Sequence, residues 1–226
     1  MFFNLIRRFR RAPALNRPRQ PAHVLGDIVA RKLDGALPPG FQRIGDLQWV
    51  SVPTDHIRYL LRFEPMKGMS FSACWGISID FVPIFRSGNL RWKRTAKSAN
   101  FDLCIDPIDT SGHIEGWCSF YWNDHPRYVE RAAVQGLKAA RRDWSAIRTL
   151  KDVPGAFEKR SKITFRRFSL ENYVQTDLAW GLALVAVGET DPGQRRLDRF
   201  CETFSIARDD PILTSAKHAA TTIASG

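Results

Sequence analysis

Residues 69–85, MSFSACWGISIDFVPIF, alternate almost from end to end. Met69, Phe71, Ala73, Trp75, Ile77, Ile79, Phe81, Pro83 and Phe85 take the odd positions, and Ser70, Ser72, Cys74, Gly76, Ser78 and Asp80 the even ones. A period of two held this long belongs to a β-strand with one face on a core. The even face is unusual, because a solvated strand face favours Lys, Glu or Thr over small residues. Two readings follow. Either a helix or loop of the same chain packs closely there, as glycine in a strand suggests, or Ser70, Ser72, Cys74, Ser78 and Asp80 form a groove for a partner.

Upstream, Ile57, Tyr59, Leu61 and Phe63 alternate with His56, Arg58 and Arg62, giving a strand that ends at Pro65. The short Met66–Gly68 link makes it a hairpin with the organising strand. Phe41 to Val52, around Trp49, Val50 and Val52, reads as a further strand, with a bulge or turn at Gly45-Asp46. Val24, Leu25, Ile28, Val29 and Leu33 fall at helical spacing, and Gly35, Pro38, Pro39 and Gly40 stop that helix. Downstream, Phe101, Leu103 and Ile105 supply a fourth strand and Trp117 to Trp122 a fifth.

After Pro126 the period changes. Val129, Ala133, Leu137, Ala140, Trp144 and Ile147 predict a helix to about Arg148, before a break at Pro154-Gly155. In the last third Ser169 reads as an N-cap and Gly188 as the residue closing that helix. Asp191-Pro192, with Gln194 in a capping box, and Asp210-Pro211 read as two further helix starts. The expected fold is α+β: an antiparallel sheet of four to five strands flanked by an N-terminal helix and a long helix, followed by a C-terminal helical segment. Residues 1–22 form a basic, flexible tail, 23–168 the α+β domain and 169–226 a helical extension.

Bulk properties narrow the function classes. With 44% hydrophobic and 12% aromatic residues among 226, the chain has ample material for a core, so general disorder is excluded. The net charge of +11 is unevenly placed. Arg7, Arg8, Arg10, Arg11, Arg17 and Arg19 lie in the first 20 residues with no acid, which leaves a net of +5 for the rest. A pI near 10.0 is therefore weak evidence that the folded body binds nucleic acid. Met1 to Arg11 mixes Phe2, Phe3, Leu5, Ile6 and Phe9 with arginines, the pattern of a short amphipathic helix on an anionic surface or of a plain unstructured start. Arg10, Arg11 and Pro13 stand where a twin-arginine export signal needs apolar residues. Cys74, Cys104, Cys118 and Cys201 lack paired spacing and read as buried thiols of a cytoplasmic protein. The most apolar run, Leu178 to Gly188, is too short to cross a membrane.

The order of parts resembles a bacterial family of uncharacterised α+β domains known only by a domain-of-unknown-function label. The residues that carry the resemblance are the amphipathic helix, Gly40-Phe41 with Gly45 and Trp49, and the hairpin to Gly76-Ile77. Val82-Pro83 with the basic loop and Trp92, and Ala156-Phe157-Glu158-Lys159, complete it over Val24 to Phe168. The resemblance implies a helix-flanked antiparallel sheet and carries no activity.

The candidates for chemistry are local clusters. His113, Glu115, Cys118, Asp124 and His125 begin like a zinc deaminase motif, but the Pro-Cys-x-x-Cys half is missing, so a polar turn is the favoured reading and no metal or cofactor is expected. Asp80, Asp102 and Asp106 sit on polar strand faces, where two could meet for acid/base work or stand as solvated acids; His56 reads as a surface residue. Arg86, Arg91, Lys93, Arg94 and Lys97 around Trp92 form a basic, aromatic loop without acids, suited to phosphates and stacked bases or simply to solvent. The leading expectation is a non-enzymatic protein that binds another macromolecule, most naturally a protein. The alternatives are nucleic-acid or anionic-surface binding through tail and basic loop, and an enzyme of unrecognised type.

Overall fold

The computed structural model describes residues 18–66, 69–92, 95–105, 118–162, 164–165, 168–169 and 176–226. Nearly the whole basic tail, Lys93, Arg94, Asp106, His113 and Glu115 lie outside them.

The organising stretch is β4, Ser70–Ile79, and it runs antiparallel to β3, Ile57–Met66, in an unbroken ten-residue register from Ile57↔Ile79 to Met66↔Ser70. Beyond β3 lie β2, Gln48–Ser51, and β1, Phe41–Gly45. The expected Phe41–Val52 strand is thus a hairpin, turned at Asp46-Leu47, with a register shift between Arg43 and Gly45. On its other side β4 carries two short antiparallel strands end to end: β7, Leu103–Ile105, on residues 75–77, and β8, Ser119–Tyr121, on residues 70–72. The result is one six-stranded antiparallel sheet. A separate hairpin, β5 (Ile84–Arg86) and β6 (Asn89–Arg91), occupies part of the basic loop.

The odd face of the sheet carries the main core. Trp49, Leu61, Phe63, Phe71, Ala73 and Trp75 pack against α1, Ala22–Leu33, and α2, Pro126–Trp144. Gly136 makes the α2 contact possible, since a Cβ there would come within 2.9 Å of the Ala73 Cβ. The end of α2 is pinned to β4 by two indoles: Trp75 Nε1 donates to Asp143 Oδ2 (2.8 Å) and Trp144 Nε1 to the Gly76 carbonyl (3.2 Å).

Ile57, Ile77 and Ile79 continue the odd face into the second half of the core, shared with the C-terminal helices. These are α3, Val153–Ser161; α4, Thr176–Ala186; α5, Thr190–Phe204; and α6, Pro211–Ala224. Every residue of α4 from Leu178 to Ala186 is buried, so it is a central helix, apolar all round. Pro154 lies in the first turn of α3, where a missing N–H costs nothing; it does not break a helix there. Ser169 belongs to β10, Phe168–Ser169, paired with β9, Thr164–Phe165, and so does not cap α4. Asp191 falls inside α5, which begins one residue earlier without a side-chain cap, whereas Asp210 accepts from the N–H groups of Ile212 (2.9 Å) and Leu213 (3.1 Å), as expected.

Ser205 closes α5 in the left-handed conformation at φ 54°. Glycine enters that region without penalty, so Ser205→Gly is expected to stabilise the protein by about 0.5–1 kcal/mol. A raised urea midpoint with an unchanged slope confirms this; a lowered one contradicts it.

Candidate functional site

The small-residue face of β4 is filled by the chain itself. Ser72, Cys74 and Ser78 are only 6%, 7% and 2% exposed. Across the same face the 95–102 segment lays Ala96, Ala99 and Phe101 on Val50 and Leu60, and the Arg62 guanidinium stands 5.0 Å from the Phe101 ring. Gly76 is the tightest point, since a Cβ there would meet the Leu103 carbonyl oxygen at 1.9 Å. The burial matches close internal packing, and the groove expected at these positions is closed; Ser70 and Asp80 alone of the named residues keep partial exposure.

Asp80 accepts from or pairs with His56 Nδ1 at 3.0 Å. Asp102 takes the Ile79 N–H at 2.6 Å. The two acids thus have separate structural partners. His56 and Asp55 form a turn with positive φ at both residues, 64° and 47°, and Asp55 Oδ2 explains part of that strain by capping the N–H of Leu150 at 2.6 Å. Of the deaminase-like cluster, Cys118 is buried in the core, Asp124 accepts from the Tyr121 N–H (2.8 Å), and His125 caps α2 through the Arg127 N–H. Among the described residues no three His, Cys, Asp or Glu side chains are grouped to hold a metal ion.

Displaced titrations have local structural causes. Burial pushes the Tyr59 phenol up, and its hydroxyl donates to the Ile147 carbonyl at 2.7 Å. The Thr149 N–H holds the Asp152 carboxyl below the usual range, as part of a capping turn. Hydrogen bonding to Lys162 does the same for exposed Glu158, and burial raises the Cys201 thiol.

In the basic loop, Arg86, Arg91 and Lys97 are exposed, while Trp92 is half-buried against the C-terminal core. Phe85 packs on Phe200 and Phe204 of α5, which fixes the β5–β6 hairpin to the helices.

A concave feature among the described residues lies at the β1 edge of the sheet. Between the end of α1 and β1 is an open cleft of about 340 Å³, walled by Asp34, Leu37, Pro38, Pro39, Phe41 and Trp49. Trp49 Nε1 donates to Asp34 Oδ1 at 3.0 Å, fixing the indole as its floor. Arg43 closes one side, held by Asp27 Oδ1 (2.9 Å) and the carbonyls of Gly45 and Asp46. Arg141 hydrogen-bonds the Ala36 carbonyl and ties the approach loop to α2.

Beside this cleft β1 is the sheet's outer strand, with β2 as its only strand neighbour among the described residues. The Val52 N–H bonds the Gly40 carbonyl (2.8 Å), so the antiparallel alternation turns Gln42 toward Val50 and turns the main-chain groups of Arg43 to the open edge. The sequence held only an indirect sign of this site: the Gly35 to Gly40 stop, followed by Trp49. Comparison with family models, curated proteins and solved structures finds no match to this chain.

Proposed function

We propose that this protein is a non-enzymatic binding module that takes an extended segment of another protein along the free edge of β1. The observation that carries the reading is the outward Arg43 main chain next to a preformed cleft. Main-chain pairing would supply affinity, and a side chain of the added strand, projecting toward the helix-covered face, would enter the cleft between Pro38, Pro39 and Trp49. One carboxylate and one guanidinium at the rim favour an apolar side chain flanked by polar ones. The resemblance to the bacterial α+β family belongs to the same proposal, as does a cytoplasmic setting, supported by four cysteines outside any disulfide. No helix among the described residues is long and apolar enough to cross a membrane.

The test is selection from a random peptide display library on the full chain, followed by affinity measurement on variants. Arg43→Pro deletes the outward N–H and should weaken selected peptides at least about tenfold, while Arg43→Ala keeps the N–H and should weaken them far less. Equal binding by wild type and by a correctly folded Arg43→Pro protein would remove the proposal.

A further inference from the structure

α2 packs its apolar side on α1 and the sheet, and its solvent side has a composition that packing does not account for. Six of its residues are exposed: Arg127, Arg131, Val134, Lys138, Arg141 and Arg142. At 3.6 residues per turn they share one stripe, in which five are cations and none is an acid. The helix has two acids, and both are taken up elsewhere. Glu130 pairs with Lys32 of α1 at 3.5 Å; Asp143 takes the Trp75 indole N–H at 2.8 Å and contacts Arg142 at 2.9 Å. The exposed face of α5, by contrast, mixes Asp191 and Glu202 with Arg195 and Arg199, so the α2 stripe is not the plain average of a basic chain.

Helix stability explains only one end of the stripe. Arg141 and Arg142 lie in the last turn, where the macrodipole favours cations, but Arg127 lies in the first turn, where it disfavours them and no acid offsets it. Arg127 with Arg131, and Lys138 with Arg142, are like charges four residues apart, which repel. The stripe also has a spacing. Arg127 and Arg131 form one group and Lys138, Arg141 and Arg142 a second, and from Arg131 to Lys138 the helix rises about 10.5 Å. That gap is close to the width of the major groove of B-form DNA, roughly 12 Å, which is walled on both sides by phosphates.

We propose that the exposed face of α2 binds double-stranded DNA through its phosphates, lying across the major groove with Arg127 and Arg131 on one backbone and Lys138, Arg141 and Arg142 on the other. Val134, over the gap, has no hydrogen-bonding group to offer a base edge, so the binding is independent of sequence. The composition of the stripe separates duplex DNA from other polyanions. A lipid surface takes aromatic or long aliphatic side chains into the acyl boundary, and single-stranded nucleic acid stacks on exposed rings; the stripe has neither. The major groove of duplex RNA is too narrow to receive a helix. This second binding face stands independently of the β1 edge.

The experiment is fluorescence anisotropy of the full chain with a short labelled DNA duplex of arbitrary sequence, repeated over a range of salt concentrations. A second duplex of unrelated sequence should bind within about twofold of the first. Arg131→Glu with Lys138→Glu should weaken binding at least about tenfold with unchanged circular dichroism. Arg131→Gln with Lys138→Gln, which keeps good helix formers at both positions, should flatten the log–log salt slope by about 2. Lys159→Glu with Arg195→Glu, on α3 and α5, changes the net charge as much as the α2 reversal and should stay within about twofold of wild type. Comparing variants of one full chain cancels whatever the rest of the chain contributes. A full chain that does not bind the duplex overturns the proposal, as does an α2 variant with wild-type affinity and slope, or a control variant that falls as far as the α2 reversal. Tighter binding to phosphatidylserine vesicles or to polyglutamate than to the duplex also overturns it, assigning the stripe to lipid or to an acidic protein.

Discussion

Trp75→Ala is expected to destabilise the protein by about 4 kcal/mol, the middle of the range for removing a fully buried tryptophan. The side chain is 1% exposed and sits on β4 where the sheet meets the end of α2. Its loss opens a cavity among Leu61, Phe63 and the α2 alanines. It also takes away the donor held by Asp143 Oδ2 at 2.8 Å, leaving that half-buried carboxylate to its Arg142 contact. Small domains have about 5–15 kcal/mol in total, so the variant should retain little margin. With a urea slope near 2 kcal/mol/M, the midpoint should fall by about 2 M. Trp75→Phe keeps much of the volume and should recover part of the loss. A fall of less than about 0.5 M for the alanine variant would contradict the placement of this residue at the centre of the core.

The second large effect is expected at Gly76, for a steric reason. Any side chain here must displace the backbone of β7, because the Leu103 carbonyl oxygen stands 1.9 Å from the position of a Cβ and the Cys104 Cα 3.1 Å from it. Backbone cannot swing aside as a flexible side chain can. Gly76→Val should therefore detach β7 from β4, breaking the Trp75↔Ile105 to Ile77↔Leu103 pairing and the Asp102 contacts to the Ile77 carbonyl and the Ile79 N–H. Overpacking of this severity belongs at or above about 3 kcal/mol. Amide exchange localises it: residues 103–105 should lose protection while the β3 and β4 amides facing each other keep theirs. Undiminished protection at 103–105 would show that β7 does not approach β4 as closely as described.

What could be read from the chain divides along physical lines. β4 was legible because one face meets hydrophobic core over ten residues, so its side chains alternate strictly. α1 and α2 were legible for the same reason at helical spacing, and Asp210 was because its cap is a local hydrogen bond. The Phe41–Val52 hairpin was legible in part: Gly45-Asp46 read as a bulge or turn, but the turn at Asp46-Leu47 is short and carries the apolar Leu47, which is buried in the core, so the two strands read as one. Pro154 and Ser169 misled because each residue type has two roles: proline both ends helices and starts them, and serine both caps helices and sits in strands. The closed face of β4 was ambiguous in principle, as small residues admit a ligand and a neighbouring strand alike. The packing of the 95–102 segment on that face and the approach of the Leu103 carbonyl to Gly76 separate the two. The cleft beside β1 joins Asp34, the Pro38-Pro39 turn and Trp49, and its depth is set by how α1 lies against the sheet, which no local pattern encodes.

The proposed edge-strand binding comes down to one main-chain amide. In the protein alone the Arg43 N–H faces away from β2, and it should exchange with solvent rapidly, while the Gln42 amide opposite Val50 exchanges slowly. Hydrogen exchange of the full chain should therefore be measured, residue by residue, with and without a saturating library-selected peptide. Strong new protection at Arg43, with the β3 and β4 amides unchanged, is the predicted result. Protection that leaves Arg43 exchanging as fast as before and appears on another surface would contradict β1 as the docking strand.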